Sequence, residues 1–176
     1  QWSALSMLER ADWLDKIADA LEEVKEEIAK TESLDTGKPV SLARSVDATR
    51  SISNFRFFAN FARSQEPLIF EMSDATNYVH TTPLGIVGLI TPWNLPLYLL
   101  TWKVAPALLM GNCIIAKPSE ITPLTADLLA QTLQRIQRPA GVFNLVHGLG
   151  PEVGQAILEH PEVAGISFTG GTSTGR

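Results

Sequence analysis

The first third of the chain places apolar residues three and four positions apart, the spacing of a helix with one buried face. Ser6 and Glu9 form the pattern of a capping box, which predicts the start of this helix. The stretch DTGKP (35–39) predicts its end, because Gly37 tolerates a positive φ and Pro39 cannot continue a helix. The apolar face consists of Leu14, Ile17, Ala18, Leu21, Val24 and Ile28.

A second helix is predicted from residue 40 to residue 62, ending before Pro67, and beyond Pro67 the pattern changes. The stretch TNYVHTTP (76–83) alternates and is rich in Thr, Tyr and Val, which predicts a strand. Four short apolar runs follow, and helical patterns come after the first three. The runs are 85–90, 113–117, 141–146 and 165–170, and the helices are 96–109, 123–136 and 151–159, with Pro123 as a first helical residue.

Strands that alternate with helices predict an α/β fold, with a Rossmann-like parallel sheet and helices on both faces. A helical N-terminal segment precedes this sheet. In parallel sheets of this kind, ligands bind at the carboxyl ends of the strands. The residues that directly follow each strand are therefore the candidates for chemistry.

Composition narrows the class of protein. The 176 residues are 45% hydrophobic and 19% charged, with a net charge of −5, which disfavours binding to nucleic acid or to an anionic membrane. No apolar run has the roughly 20 residues that cross a bilayer, and no signal-peptide pattern is present. The single cysteine favours a reducing compartment, so we expect a cytoplasmic protein. Because the sequence begins with Gln1 and ends just after a glycine-rich turn, we expect a fragment of a longer chain.

Two kinds of site are disfavoured by the sequence. Cys113 opens an apolar strand, with no His or Lys near it in sequence to activate the thiol, so it is not predicted to be a nucleophile. His80, His147 and His160 lack the spacing of metal ligands, and no metal site is expected.

Asn94 follows the first strand of the predicted sheet, and its spacing is compatible with two roles. Asn is a favoured helix cap, and spacing alone favours that role. However, Pro96 is a natural first helical residue, which would make Leu95 the cap and leave the Asn94 amide free. A free amide is a neutral donor that suits an oxyanion at a carbonyl carbon.

The other three strand ends are also polar or glycine-rich. Lys117 and Glu120 suit the hydroxyls of a sugar, although a surface ion pair is an equally good interpretation. The glycines of HGLGPEVG (147–154) lack the G-x-G-x-x-G fingerprint of dinucleotide sites, so a plain turn is favoured there. FTGGTSTG (168–175) predicts an amide-rich anion site at a helix start. Together, the four strand ends point to a nucleotide.

The motifs TPWNLP, KVAPALLMGNCIIAKPSE, GVFNLVHGLGPEVG and ISFTGGTSTG, in this order and spacing, closely resemble the NAD(P)-dependent aldehyde dehydrogenase superfamily. The resemblance covers nearly the whole chain and implies part of a cofactor domain. It implies a helical part at 1–66, a strand region leading into an oligomerisation element at 67–82, and a Rossmann-like NAD-binding portion at 83–176. The catalytic domain would be absent.

The resemblance also implies roles for particular residues. The Asn94 amide would form part of an oxyanion hole, and Lys117 and Glu120 would hold the adenosine ribose. Glu120 would repel a 2′-phosphate, so NAD is expected rather than NADP. The other implied cofactor contacts are Thr91, Trp93, Ser119, Gly150, Gly154, Phe168, Thr169, Gly170 and Gly171. Many members of the superfamily have Ser where Gly171 stands, so a hydroxyl contact to phosphate is lost.

The stretches NLPLYLLTWK (94–103) and RSVDATRSISNFRFFA (44–59) resemble the branch that acts on 2-aminomuconate or 2-hydroxymuconate 6-semialdehyde. Arg50 matches a position in the substrate tunnel and could grip a carboxylate, but it could equally be a solvated Arg, and Arg56 is a competing candidate. The expected tunnel wall is Leu95, Tyr98 and Trp102.

The resemblance implies a Cys nucleophile and a Glu base, both beyond residue 176, which act through a thiohemiacetal and a thioester. The chain alone should be inactive, and the parent protein is expected to be a homo-oligomer. Two alternatives remain open. One is a relative that acts on another substrate, such as betaine aldehyde or succinic semialdehyde, and the other is a non-catalytic nucleotide-binding module.

Overall fold

The structure is a computed structural model that describes residues 2–175. It begins with a short 3₁₀ turn, Trp2–Ala4, and a helical segment. The Ser6 hydroxyl accepts a hydrogen bond from Glu9 N, and the Glu9 carboxylate accepts one from Ser6 N, so the capping box is confirmed. The helices of this segment are α1 (Met7–Glu23), α2 (Lys25–Thr36), α3 (Val40–Leu42) and α4 (Thr49–Ser64).

The prediction of one continuous first helix was wrong, because the chain turns at Val24. The Val24 N–H donates to the carbonyls of Leu21 and Glu22, which tightens the last turn of α1 and interrupts the helical hydrogen bonding before α2 begins at Lys25. Gly37, with φ at 75°, ends α2 as predicted. The predicted second helix is helical throughout, but a π-helical turn at Ala43–Ala48 separates α3 from α4.

Beyond α4, two short exposed strands pair antiparallel: β1 (Ile69–Glu71) and β2 (Thr76–Tyr78). The strand predicted over 76–83 therefore ends at Tyr78, and its partner β1 was not predicted. The alternation continues past Tyr78, but the pairing ends after one more hydrogen bond, from Val79 N to the Leu68 carbonyl at 3.0 Å.

The main sheet contains four parallel strands in the order β5-β4-β3-β6, with α/β connections as predicted. The strands are β3 (Ile86–Ile90), β4 (Cys113–Lys117), β5 (Phe143–Leu145) and β6 (Val163–Phe168). The helices are α5 (Pro96–Leu109), α6 (Leu124–Arg135) and, after a π-helical turn at Gly150–Gly154, α7 (Gln155–Glu159). Pro123 is the residue before α6 rather than its first residue.

Helices cover both faces of the sheet, as predicted. On one face a Cβ at Gly88 would lie 2.5 Å from the Ile157 side chain of α7, so this contact needs a glycine. On the other face Val87 and Leu89 line a cavity together with residues of α5. Alternate residues of β3 thus face different helices, as the pleat of a strand requires.

One hydrophobic core joins the helical segment to the sheet. The Trp2 indole N–H donates to the Leu108 carbonyl at 3.0 Å, and the Asn54 amide donates to Thr101 Oγ1 at 2.9 Å, so α4 and α5 are also tied by polar contacts. The largest fully buried side chains are Leu14, Leu21, Ile28, Phe55, Leu97, Leu100, Leu108, Leu109, Ile114, Leu129, Leu133 and Phe143. Among residues 2–175, no helix combines the length and apolar character needed to span a bilayer.

Candidate active site at the carboxyl edge of the sheet

The register of the sheet brings three of the four strand ends to one edge. Ile90 is opposite Lys117 on one side and opposite Phe168 on the other. The ladder continues one residue further, because Thr91 N donates to the Lys117 carbonyl at 3.2 Å and Thr169 N donates to the Ile90 carbonyl at 3.0 Å. The side chains that follow β3, β4 and β6 therefore lie next to one another.

The segment between β3 and α5 leaves Asn94 free. Leu95 occupies the cap position with φ at −141° and ψ at 66°, and Pro96 is the first residue of α5, so Asn94 is not the cap. The Asn94 side chain is exposed and has no hydrogen-bond partner within residues 2–175. Trp93 is 57% exposed beside it, whereas Thr91 is buried with a hydroxyl that has no partner among these residues.

After β4, a buried ammonium lies next to an exposed carboxylate. Lys117 is 2% exposed, and its Nζ donates to the Pro118 carbonyl at 3.1 Å and lies 3.4 Å from Glu120 Oε2. The pKa of Glu120 is lowered, first by its own backbone N–H and then by Lys117, so the carboxylate is ionised at neutral pH. Ser119 is buried, and its hydroxyl accepts a hydrogen bond from Ile121 N at 3.3 Å.

The glycine-rich turn before α7 touches the same edge at one point. A Cβ at Gly154 would lie 3.9 Å from Ile90 Cδ1 and 4.0 Å from Lys117 Cδ, so the backbone of Gly154 lies beside both strands. Gly150, by contrast, is exposed, with open space where a Cβ would be. Gly148 has φ at 145°, and a Cβ there would clash with Val153.

The turn after β6 folds around the Phe168 ring. A Cβ at Gly170 would lie 2.4 Å from Phe168 Cζ, so a larger residue there would displace the ring, and a Cβ at Gly175 would lie 3.3 Å from Phe168 Cε1. The Gly171 carbonyl accepts hydrogen bonds from the backbone N–H groups of Thr174 and Gly175, both at 3.1 Å. The helix start predicted here is a turn as far as Gly175, the last described residue.

The expected substrate wall is assembled near the start of α5. The Arg50 guanidinium lies 5.4 Å from the centre of the Tyr98 ring, and the Tyr98 and Trp102 rings are 6.0 Å apart. Leu95 precedes Tyr98 by three residues and so lies on the same side of α5. Arg50 is exposed and forms no salt bridge within residues 2–175, whereas Arg56 is paired with Asp15 and Asp19. Of the two arginines, Arg50 is the one free to bind a ligand.

Sequence reasoning missed Lys103, which lies in a cavity of about 650 Å³ between α5 and β6. Its Nζ donates to Ser167 Oγ at 2.9 Å, and burial lowers its pKa. The available signal was a lysine in an otherwise apolar helix. The sequence around Lys103 does not reveal the partner of its ammonium, because Ser167 is 64 residues away in the chain.

The cysteine and the histidines lie apart from this site. Cys113 is half-buried at the amino end of β4, the opposite end from Lys117. His80 stacks on Tyr78, and His147 Nε2 lies 2.9 Å from Asp127 Oδ1. No group of three or more His, Cys, Asp or Glu side chains in the described part of the chain is arranged to hold a metal ion.

The chain is similar to known semialdehyde dehydrogenases over nearly its whole length. The chain is 50% identical to the 2-aminomuconic semialdehyde dehydrogenase of Mus musculus, over 98% of this chain and 36% of that protein. It is 48% identical to the 2-hydroxymuconic semialdehyde dehydrogenase of Pseudomonas sp. (strain CF600), over 99% of this chain and 37% of that protein. The chain thus spans about a third of the length of these relatives.

A solved NAD⁺ complex of an aldehyde dehydrogenase from Bacillus cereus superposes with a TM-score of 0.93, at 39% identity, over 99% of this chain and 36% of that one. The model of the aldehyde dehydrogenase family matches residues 1–176. The chain therefore belongs to the aldehyde dehydrogenase family.

Proposed function

We propose that this chain is the cofactor-binding portion of an NAD-dependent aldehyde dehydrogenase that oxidises an aldehyde to an acid. The observation that carries the proposal is the single sheet edge at which Thr91, Lys117 and Phe168 meet, with Asn94 directly after Thr91. Within this portion, residues 1–66 would be the helical part, 67–82 the strand region leading into an oligomerisation element, and 83–176 the NAD-binding part.

The residues at this edge fit NAD. The Lys117 ammonium can donate to a ribose hydroxyl, and the ionised Glu120 carboxylate can accept from one. The partnerless hydroxyl of buried Thr91 and the backbone around Gly154 supply further polar contacts. The remaining proposed contacts are Trp93, Ser119, Gly150, Phe168, Thr169, Gly170 and Gly171. When bound, NAD supplies a nicotinamide ring that accepts hydride.

The charge on Glu120 supports NAD over NADP. An ionised carboxylate that binds the ribose hydroxyls repels a 2′-phosphate at the same position. Discrimination against NADP would depend on both residues, because the Lys117 ammonium lies 3.4 Å from the Glu120 carboxylate and keeps it near the strand end. The relevant comparison is between the Kd values of NAD and NADP for the same protein.

Asn94 is proposed to stabilise the oxygen of the reacting aldehyde. Its exposed amide can donate a hydrogen bond as negative charge develops on that oxygen. The attacking sulfur and the general base are expected outside residues 1–176, since Cys113 lies at the far end of β4. The role of this chain is therefore to hold the cofactor and half of the oxyanion hole.

The substrate is proposed to be a semialdehyde that carries a carboxylate. Arg50 is exposed and unpaired within residues 2–175, and the face of Tyr98 limits how its guanidinium moves, so a carboxylate would find a preorganised partner. Leu95, Tyr98 and Trp102 would contact the carbon chain. The names of the muconic semialdehyde dehydrogenases to which the chain is similar support the same class of substrate.

The complete protein is proposed to be a cytoplasmic homo-oligomer. The β1–β2 pair exposes Ile69, Phe70, Met72 and Tyr78 to solvent, an apolar surface that association would cover. Residues 1–176 contain one cysteine and so no internal disulfide, which supports a reducing compartment.

The direct test is turnover, followed by the absorbance of NADH. The complete protein should oxidise 2-hydroxymuconic semialdehyde with NAD, and residues 1–176 alone should not. Turnover by residues 1–176 alone would show that the nucleophile lies within this chain. A complete protein that binds NAD but oxidises no aldehyde would favour the non-catalytic alternative.

A further inference from the structure

A buried cluster of charged residues joins α2, the π-helical turn and the first turn of α6. The Glu32 and Asp47 carboxyls are almost completely buried, and a single ammonium, that of Lys38, lies between them. Lys38 Nζ is 2.9 Å from Asp47 Oδ1 and 3.6 Å from Glu32 Oε1. Neither oxygen of Glu32 has a hydrogen-bond partner within residues 2–175, so two carboxyls share one cation.

The surroundings of Glu32 favour the protonated carboxyl. Burial raises its pKa to about 7, and the negative charge of Asp47 acts in the same direction. The nearby Thr125 hydroxyl and the Lys38 ammonium lower it, although Thr125 does not reach hydrogen-bond geometry. The groups that face Glu32 are thus Lys38 from the loop after α2, Asp47 from the π-helical turn and the uncharged Thr125 from α6.

The same elements hold the segment that joins β4 to α6. Asp35 of α2 accepts a hydrogen bond from Leu124 N at 2.9 Å, which caps the start of α6 from another helix. Within the segment, Thr122 N donates to the Ser119 carbonyl at 3.3 Å. Glu120 lies within this short segment, so a displacement of the first turn of α6 would move it relative to Lys117, which the sheet holds at the end of β4.

We propose that Glu32 is a positioning residue of the cofactor site: as a neutral carboxyl beside Asp47 it lets α2 keep its place, and Asp35 of α2 thereby holds the first turn of α6 and the segment that carries Glu120. This rests on the proposed binding of NAD at the sheet edge. An ionised Glu32 beside Asp47 would leave one buried negative charge without compensation, and repulsion between the two carboxylates would push α2 away from the π-helical turn. Asp35 would move with α2 and loosen its hydrogen bond to Leu124 N at the start of α6. The affinity for NAD should then fall as the pH rises.

The test is the Kd of NAD for the complete protein, measured by calorimetry well below and well above pH 7. In the wild type, Kd should rise on the order of tenfold across this range. Glu32→Gln keeps a neutral side chain of the same shape, so its Kd should stay at the low-pH wild-type value throughout. Glu27→Gln, an exposed change on the same helix, should follow the wild type.

Infrared difference spectra between the two pH values supply a measurement that does not involve NAD. The wild type should lose a C=O band of a protonated carboxyl at high pH, and Glu32→Gln should lack that band. A wild-type protein that does not bind NAD at all would overturn the proposed function. A wild type that binds NAD with the same pH dependence as Glu32→Gln, or that lacks the band, would overturn the role of Glu32 alone.

Discussion

The outer face of the helical segment and the surroundings of the carboxyl edge of the sheet differ in how many polar side chains lack a partner. On the outer face, Arg63 lies 2.7 Å from Asp12 and 2.8 Å from Asp15, and Arg56 is paired as well. Arg50, on the same helix α4, is exposed and has no carboxylate partner in the described part of the chain. The outer face pairs its arginines within the fold, whereas Arg50 stays available to a ligand; at the edge, Lys117 and Glu120 form one ion pair, 3.4 Å apart.

At the edge, two uncharged polar side chains, those of Thr91 and Asn94, also lack a hydrogen-bond partner among residues 2–175. Buried polar groups in folded proteins are nearly always hydrogen-bonded, yet the Thr91 hydroxyl is not, among residues 2–175. The Asn94 amide is also free, since Leu95 and Pro96 start the helix without it. A buried hydroxyl and an exposed amide that lack partners among residues 2–175, three residues apart after β3, are groups with which a polar ligand could pair.

The largest effect is expected at Asn94. In the complete protein, Asn94→Ala should lower kcat by about 10²–10³, because the developing oxyanion loses a preorganised donor. The Kd of NAD should not change. Steady-state kinetics would be compared with Asn60→Ala, a change at an exposed residue of α4. A kcat within about threefold of the wild type would remove Asn94 from the oxyanion hole.

A smaller effect concerns the stability of the buried cluster. The pKa of Glu32 in the folded protein is about 7, above its ordinary value of 4.5. Between these two pH values the folded state therefore binds more protons than the unfolded state. Its stabilising contribution is complete below the ordinary value and is lost as the pH rises through about 7, by at most about 3 kcal/mol. Thermal unfolding without NAD should therefore show the Tm of the wild type falling relative to that of Glu32→Gln as the pH rises. Parallel profiles would mean that Glu32 is ionised in the folded protein.

The contrast between the arginines of α4 can be tested directly. Arg50→Met should raise KM for a carboxylate-bearing semialdehyde by about tenfold and leave KM for an uncharged aldehyde unchanged, because only the charged contact is lost. Arg56→Met removes a paired guanidinium and should alter neither KM. If Arg50→Met retains the wild-type KM on the acidic substrate, a substrate such as betaine aldehyde becomes the better proposal.

The smallest effect is expected on the outer face. Arg63→Ala should lower Tm by no more than about 2 °C, because exposed ion pairs gain little over solvated charges. High salt should reduce the difference further, and kcat should be unaffected. A large loss of activity in this variant would show that the outer face is not merely structural.

The fold could be predicted from the sequence wherever the signal is local. Short apolar runs located β3, β4, β5 and β6, and Pro96 located the start of α5 to the residue. The predictions failed where the outcome depends on hydrogen bonding to other residues. The turn at Val24, the π-helical turn at Ala43–Ala48 and the pairing of β1 with β2 have no periodic signature.

The residues of the candidate site also fall into two groups: those that a local sequence signal reveals, and those that depend on partners far away in the chain. The residues after β3, β4 and β6 could be placed at one edge, because the ends of neighbouring parallel strands coincide. Lys103 and Glu32 could not be found, since each depends on partners in other elements: Ser167 for one, Lys38 and Asp47 for the other. The roles of the edge residues in binding remain predictions.

The most direct measurement is a titration of the complete protein with NAD, comparing the wild type with Lys117→Met. Lys117 is buried at the edge and would donate to the ribose, so its loss should raise Kd by about tenfold or more. Lys30→Met, at an exposed position of α2, serves as the matched control and should bind as the wild type does. Equal Kd values for Lys117→Met and the wild type, or no binding by the wild type, would contradict the assignment of this edge to NAD.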